Sequence, residues 1–378
     1  MHICSIITSF TSGGAEVLVG NLAEAYVVQG HDATVLALSD AAQLGNDPEI
    51  ECAMIEHLRD AGVAAQSLRL RNRRNIVAGG LALRRMLRNR APDVIHTHTA
   101  AALPAIMLAH TGRPVILTHH NSRLSFSPWA YRFFDRVVAG YVAISDQCAA
   151  QTARHAKKPI RKILNAASPR FQADGPRLAA GQDPVILAVG TVSKQKDYPT
   201  LIRAAKPLAE RLASQGRRPR IRIAGGGQQL EALRSLVCAE GVEELVELLG
   251  ARNDVQALMQ GADVYANCSL WEGFSIAMIE ASMNGLPIVA TDVAGNHEMV
   301  LEGSNGALVP ASSSIAMADA IAAIVTNDTR YAALSKGALA AAQRFSIETC
   351  ASAHLALYSE ALAKKIPWLG RNESAFRA

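Results

Sequence analysis

ADVYANCSLWEGFSIAMIEASMNGLPIVAT, running from Ala262 to Thr291, reads as strand, loop, helix, turn and strand. Val264 to Asn267 is a short apolar run with polar flanks, and Ile276 to Met283 repeats apolar residues at helical spacing. Ile288 to Ala290 then opens the next apolar run, so the stretch is one βαβ unit. Asn284-Gly285 supplies a residue able to take positive φ where the helix ends, and Pro287 prevents continuation. Ser275 is placed to cap the helix with its hydroxyl. Amides near Ser275, Ile276 and Ala277 are then left unpaired and partly positive, a setting for an anion such as a diphosphate. Two acids complete the stretch: Glu280, one turn down the helix, suits a diol, and Glu272, in the loop, faces a second polyol.

Outward from this unit the alternation continues. Strands are expected at Val185 to Val189, Arg220 to Ala224, Val246 to Leu248 and Ala307 to Val309, with helices at Thr200 to Leu212, Gln229 to Glu240, Val255 to Gln260 and Ile315 to Thr326. After the first of these strands comes a turn, Gly190 to Asp197, whose Lys194 and Lys196 either reach a diphosphate as point charges or are solubilising surface residues. The triple glycine Gly225-Gly226-Gly227 admits a close ligand, or is a flexible turn. From Asn165 to Pro184 the pattern lapses into Pro, Gly and polar residues, which marks a domain boundary. The expected division is 1–166, 167–345 and a terminal helix within 346–378, with Ser346 to Lys365 amphipathic.

The first half begins with a strand from His2 to Ser9, a turn at Thr11-Ser12-Gly13-Gly14 and a helix from Ala15 to Val28. The glycine pair is either a plain tight turn or a phosphate cradle. Further strands are expected at Thr34 to Leu38, Asp93 to His98, Val115 to Leu117 and Val142 to Ser145. His96 and His98 share a strand face, whereas the adjacent His119 and His120 point apart. Of these histidines, the one that Thr118 to Asn121 places at the carboxyl end of the Val115 to Leu117 strand is a core or capping group, or faces a ligand beyond the strand end. No carboxylate lies at ligand spacing from them, so no metal is expected. Arg69, Arg71, Arg73, Arg74, Arg84, Arg85, Arg88 and Arg90 crowd together with no acid among them. They form the solvated face of a helix from Ala78 to Arg90, a patch for anionic lipid, or both.

The chain has 378 residues, 49% hydrophobic and 19% charged, which suits about two domains and argues against disorder. No apolar run is long enough to cross a bilayer, and the first residues read as a strand rather than a leader. A cytoplasmic protein, peripheral at the inner face of the membrane, is the expectation. The six cysteines are scattered without a CxxC pair and are expected to be reduced. A net charge of +5 with few aromatics disfavours a nucleic-acid binder.

Taken together, these motifs resemble those of the retaining glycosyltransferase family 4. WEGFSIAMIEA is similar to its E-x7-E signature, Gly13 to Glu16 to its glycine loop, Asp93 to His98 to its "DivHtH" strand and Thr118 to Asn121 to its histidine segment. Val189 to Ala204, Ala224 to Gly227, Asp292 to Glu298 and Asn305 to Pro310 resemble its later motifs, so the likeness spans nearly the whole chain. It implies an α/β GT-B fold: two doubly wound, Rossmann-like domains facing a cleft, with a C-terminal helix returning to the first domain.

It also implies a nucleotide-sugar donor, a UDP-sugar in preference to GDP-mannose, without cofactor or metal. Glu280 would hold the ribose and Glu272 the transferred sugar. The Phe274 and Ser275 amides would touch the sugar, and those of Ile276 and Ala277 the phosphates. Lys196 and Gly14 would neutralise the diphosphate, His120 would face the sugar, and the backbone at Arg252 and Asn253 would read the base. Catalysis is thereby assigned to Glu272, Lys196 and His120. The family usually has arginine at Thr191, so part of the phosphate clamp passes to Lys194. The implied acceptor is lipid-linked or a glycan, in cell-surface polysaccharide or lipopolysaccharide synthesis. An epimerase or hydrolase of the same fold and a non-catalytic nucleotide-sugar binder remain open.

Overall fold

The computed structural model describes residues 1–44, 46–70, 76–120, 123, 126–301 and 303–363. Its contacts divide the chain into two units, Met1–Asn165 together with the chain from Ile347 onward, and Ala166–Ser346.

The first unit is built on a seven-stranded sheet of β1 (His2–Ile7), β2 (Asp32–Ala37), β3 (Ala64–Ser67), β4 (Val94–Thr97), β5 (Val115–His119), β6 (Gly140–Ala143) and β7 (Ile160–Lys162), in the order β3-β2-β1-β4-β5-β6-β7. Every pairing is parallel. Strands covered by helices on both faces read as continuous apolar runs, as β1 does, with Ile3 to Ile7 all buried. The edge strands β3 and β7 are short and partly polar, which is why no apolar run marks them in the sequence. Helices Ile76–Arg90 and Leu103–Ala109 pack side by side, close enough that a Cβ on Gly80 would lie 2.7 Å from the Leu108 Cβ. The terminal helix Ile347–Leu362 packs on Gly14–Val28 within this same unit.

The second unit carries a six-stranded parallel sheet of β8 (Val185–Val189), β9 (Arg220–Ala224), β10 (Val246–Gly250), β11 (Val264–Asn267), β12 (Ile288–Thr291) and β13 (Gly306–Val309), in the order β10-β9-β8-β11-β12-β13. The chain order reverses at β8 and β11, whose outgoing loops hold Lys196 and Glu272; in open α/β sheets such a reversal is where ligands bind. Ile186, Leu201, Ile223, Val264 and Ile321 stand in the core between sheet and helices. The turn after β8 touches the turn after β9 so tightly that a Cβ on Gly225 would sit 1.9 Å from the Gly190 carbonyl oxygen. The irregular stretch near the boundary is held to this unit, with Phe171 buried and the Arg177 guanidinium donating to the carbonyls of Ala262 (2.6 Å) and Met259 (3.0 Å).

Four cysteines are buried, Cys52 and Cys238 are exposed, and all six are free thiols. No described helix is long and apolar enough to cross a membrane. Arg69, Arg84, Arg85, Arg88 and Arg90 are exposed, while Arg71, Arg73 and Arg74 lie outside the described residues, as do Asn121 and Lys365.

Candidate active site

In the second unit the loop after β8 and the loop after β11 bring their polar groups together. Lys196 Nζ donates to Glu272 Oε1 at 2.8 Å, with side-chain exposures of 17% and 7%. Gln195 donates to the other carboxylate oxygen at 3.1 Å and to the Trp271 carbonyl at 2.9 Å. Leu270 N in turn donates to the Gln195 carbonyl at 2.8 Å. Glu272 thus has both oxygens engaged, by a cation and an amide, which offsets the cost of burying its charge.

Gly295 explains how the next loop supports this one. A Cβ there would lie 2.6 Å from the carbonyl oxygens of Glu272 and Gly273, so only glycine lets the two backbones touch. Behind them is a buried polar cluster. Asn296 Nδ2 donates to Thr291 O at 3.0 Å, Thr291 Oγ1 to Ser269 O at 2.5 Å, and Ser269 N to Asn267 Oδ1 at 3.0 Å. Nothing in the sequence reading singled out Gln195, Asn267, Ser269, Thr291 or Asn296. The recurrence of short polar residues at strand ends was the available signal.

The helix Ile276–Met283 starts after Ser275, which is the N-cap residue by backbone but makes no side-chain cap bond. That corrects the expectation for its hydroxyl. The first intrahelical bond is Ile279 N to Ser275 O, which leaves the first-turn amides of Ile276 and Ala277 outside the helical ladder. Glu280 is 6% exposed, and among the described residues no hydrogen bond reaches its carboxylate. Burial pushes its pKa up to about 8, partly opposed by Arg170. An acid held neutral by desolvation and lacking partners is one that diol hydroxyls could satisfy.

Phe274 is buried, its ring edge-on to Phe345 at 5.4 Å. Thr191 and Lys194 are exposed, in the turn between β8 and the helix Tyr198–Ala213. Arg252 and Asn253 lie in the exposed loop after β10, where the Arg252 guanidinium is taken up by Asp254, Nε to Oδ1 at 2.8 Å.

In the first unit, Gly14 opens the helix Gly14–Val28, and the Glu16 carboxylate folds back over Gly13, whose added Cβ would meet Glu16 Oε2 at 2.5 Å. His120 follows β5. Its Nε2 hydrogen-bonds His98 Nδ1 at 2.8 Å, while its own Nδ1 is buried without a partner among the described residues. Behind them His96 is held at both nitrogens, by Tyr358 OH at 2.6 Å and Thr118 Oγ1 at 2.7 Å, and Tyr358 OH meets Tyr26 OH at 3.1 Å. His354 Nδ1 bonds the Cys350 carbonyl at 2.9 Å. Burial lowers the pKa of each of these histidines, to about 3 for His120 and about 4 for His354. His119 turns the other way, its ring against Phe126 at 5.3 Å. Among the described residues no group of three or more His, Cys, Asp or Glu is placed to hold a metal ion, this histidine cluster included.

Two family models match the chain in succession, Glycosyltransferase Family 4 over residues 12–170 and Glycosyl transferases group 1 over residues 171–340. The D-inositol 3-phosphate glycosyltransferase of Corynebacterium aurimucosum is 33% identical over 189 residues, covering 48% of this chain and 44% of that protein. The match therefore spans less than half of that relative's length. The phosphatidyl-myo-inositol mannosyltransferase of Mycobacterium leprae is 28% identical over 256 residues, covering 64% of this chain and 67% of its own. Among solved structures, Anabaena Alr3699/HepE in complex with UDP-glucose has a TM-score of 0.78 at 22% identity, over 96% of this chain and 100% of that one, a likeness of fold.

Proposed function

Because the chain belongs to glycosyltransferase family 4 and has its two-domain GT-B fold, we propose that it moves a sugar from a nucleotide-diphosphate sugar to a hydroxyl of a lipid-linked or glycan acceptor. The observation that carries this reading is the Lys196–Glu272 pair beside the helix that starts at Ile276 and bears Glu280. It gathers a cation, free amides and two acceptors, one for each part of a nucleotide sugar.

In this reading the bond from the anomeric carbon to the diphosphate oxygen breaks as the acceptor oxygen bonds to that carbon from the same face. The acceptor's proton passes to the departing diphosphate, and configuration is retained. Lys196 and the amides of Ile276 and Ala277 stabilise the charge that develops on the diphosphate, so the step needs no metal. Glu272 orients the sugar hydroxyls, with the Phe274 and Ser275 amides alongside, and Glu280 takes the ribose. Gly14 and His120 serve the phosphate and a sugar hydroxyl, and the backbone at Arg252 and Asn253 meets the base. Lys194 and Thr191 border the phosphates. A UDP-sugar is the donor we favour, in keeping with the UDP-glucose held by the Anabaena protein.

The names of the relatives support a phosphate-bearing acceptor, D-inositol 3-phosphate in one case and phosphatidyl-myo-inositol in the other. The exposed face of the helix Ile76–Arg90 suits the lipid form. Val77 and Leu81 are each 63% exposed there, two turns and one turn respectively before Arg84 and Arg85, with Arg88 one turn further on. A place at the inner face of the membrane in cell-surface glycan assembly follows from that choice.

Thermal shift with UDP-glucose, UDP-N-acetylglucosamine and GDP-mannose identifies the donor, since a ligand bound only by the folded state raises its stability. Labelled transfer to inositol phosphate and to phosphatidylinositol vesicles then identifies the acceptor. Rapid donor turnover with no acceptor would favour a hydrolase or epimerase. Tight donor binding with no product from any acceptor would favour a binding protein.

A further inference from the structure

His120 is assigned above to a sugar hydroxyl, and the structure indicates what aims it. Its Nδ1 is buried and unpartnered among the described residues, while Nε2 is engaged by His98 Nδ1 at 2.8 Å. A buried ring nitrogen without a partner is costly unless a ligand completes it. The His98 ring is itself fixed, lying 4.1 Å from the His96 ring, which is pinned at both nitrogens by Tyr358 and Thr118. The rings of His98 and His120 are nearly parallel, 21° apart with centroids at 5.1 Å. His98 N donates to the Ile6 carbonyl at 2.8 Å, so its backbone is anchored to β1 as well.

We infer that His98 is a positioning residue that holds His120 with Nδ1 presented to a hydroxyl of the transferred sugar. This inference rests on the nucleotide-sugar reading. Both rings are neutral, so one proton is shared across the His98–His120 bond and the remaining Nδ1 takes the opposite character to Nε2. A hydroxyl can donate or accept, and so satisfies that nitrogen in either tautomer. A phosphate oxygen only accepts and an ammonium only donates, so each would hold the pair in one tautomer, whereas a hydroxyl is satisfied by both. His98 is the second histidine of the Asp93 to His98 strand motif, a position to which the sequence reading gave no role.

The test is calorimetric titration of the full chain with UDP and with UDP-glucose. His98→Ala is expected to weaken UDP-glucose about three- to tenfold, the loss of one well-formed hydrogen bond, and to leave UDP affinity unchanged. His98→Asn places an amide nitrogen where Nδ1 stood and is expected to restore most of the loss. His120→Ala is expected to lose the same increment, and the double alanine variant no more than either single one, because the two act as one unit. Equal weakening of UDP and UDP-glucose, additive losses, or no restoration by asparagine would each overturn the inference. Normal UDP-glucose binding by His98→Ala would remove it alone. An unsubstituted protein that binds neither nucleotide would remove the donor reading, and this inference with it.

Discussion

Lys196 and Glu272 meet at 2.8 Å as an ion pair, whereas His96, His98, His120 and His354 pack ring by ring with hydroxyls, a carbonyl and one another as partners. Both groups are withdrawn from water. In the first, each charge has a counter-charge and Gln195 fills the remaining carboxylate oxygen. In the second, no acid is among those partners and burial leaves the rings neutral. Glu280 sits in the same unit as the ion pair but behaves like the histidines, because no hydrogen bond reaches its carboxylate among the described residues and burial pushes it to about 8 against the pull of Arg170. What decides whether a buried group stays charged is therefore its immediate partners, not the unit that holds it.

Breaking the ion pair should have the largest effect. Lys196→Met is expected to lower initial transfer rates about 100-fold or more, by removing the cation that meets the leaving diphosphate. It also leaves Glu272 buried without its counter-charge, at a cost on the order of 3 kcal/mol in urea unfolding. Lys196→Met with Glu272→Gln should recover that stability and none of the rate. If the single and double variants were equally stable, the pairing would not be what keeps the charge tolerable.

The two cases outside an ion pair should respond to pH in opposite directions. For Glu280 the folded pKa is raised from 4.5 to about 8, so between these values the folded state binds more protons than the unfolded one. Its contribution is full below pH 4.5 and is lost as pH rises through about 8. Glu280→Gln should therefore match the unsubstituted protein near pH 5 and exceed it near pH 8.5, by a few kcal/mol at most, in urea midpoints. A constant gap across that range would contradict the assignment.

His354 has the reverse sign. Its folded pKa falls from 6.5 to about 4, so the unfolded state binds more protons in that window and stability drains as pH falls through it. His354→Gln should lose about 2 kcal/mol less than the unsubstituted protein between pH 7 and pH 5. Parallel losses in the two proteins would mean that the histidine titrates freely.

The smallest effect on stability belongs to the exposed cations. Glutamine at Arg84, Arg85 and Arg88 should change stability by no more than about 0.5 kcal/mol. Flotation with anionic vesicles should weaken by about 1 kcal/mol per residue replaced. Undiminished flotation would return this face to plain solvation.

Much of this organisation was legible in local pattern. Arg220–Ala224, Val255–Gln260, Val264–Asn267 and Ile276–Met283 end where apolar spacing and turn residues place their ends. β3 and β7 were not legible, because edge strands of four and three residues bury too little to need an apolar run. The helix Asp328–Ala342 also escaped. Its Gly337 reads as a helix breaker, yet a Cβ there would lie 1.8 Å from the Ser304 carbonyl oxygen, so its reason lies in another segment. In the site, Glu272, Lys196, Glu280 and His120 stood out by residue type and motif. Gln195, Asn296 and His354 did not, and His98 stood out without its part in holding His120, since each acts on a neighbour that no local spacing announces.

By itself the sequence determined the alternation of strand and helix, the two parallel sheets and the places where polar residues collect at strand ends. Those depend on periodicity, on glycine and proline backbone preferences and on helix termini, all of which act over a few residues. Only the tertiary structure decided that Lys196 is held by Glu272, that burial raises the Glu280 carboxyl and that Tyr358 of the terminal helix fixes His96 of β4. Charge state and hydrogen bonding depend on desolvation and on atoms a few ångströms away, and the fold draws those atoms from distant parts of the chain.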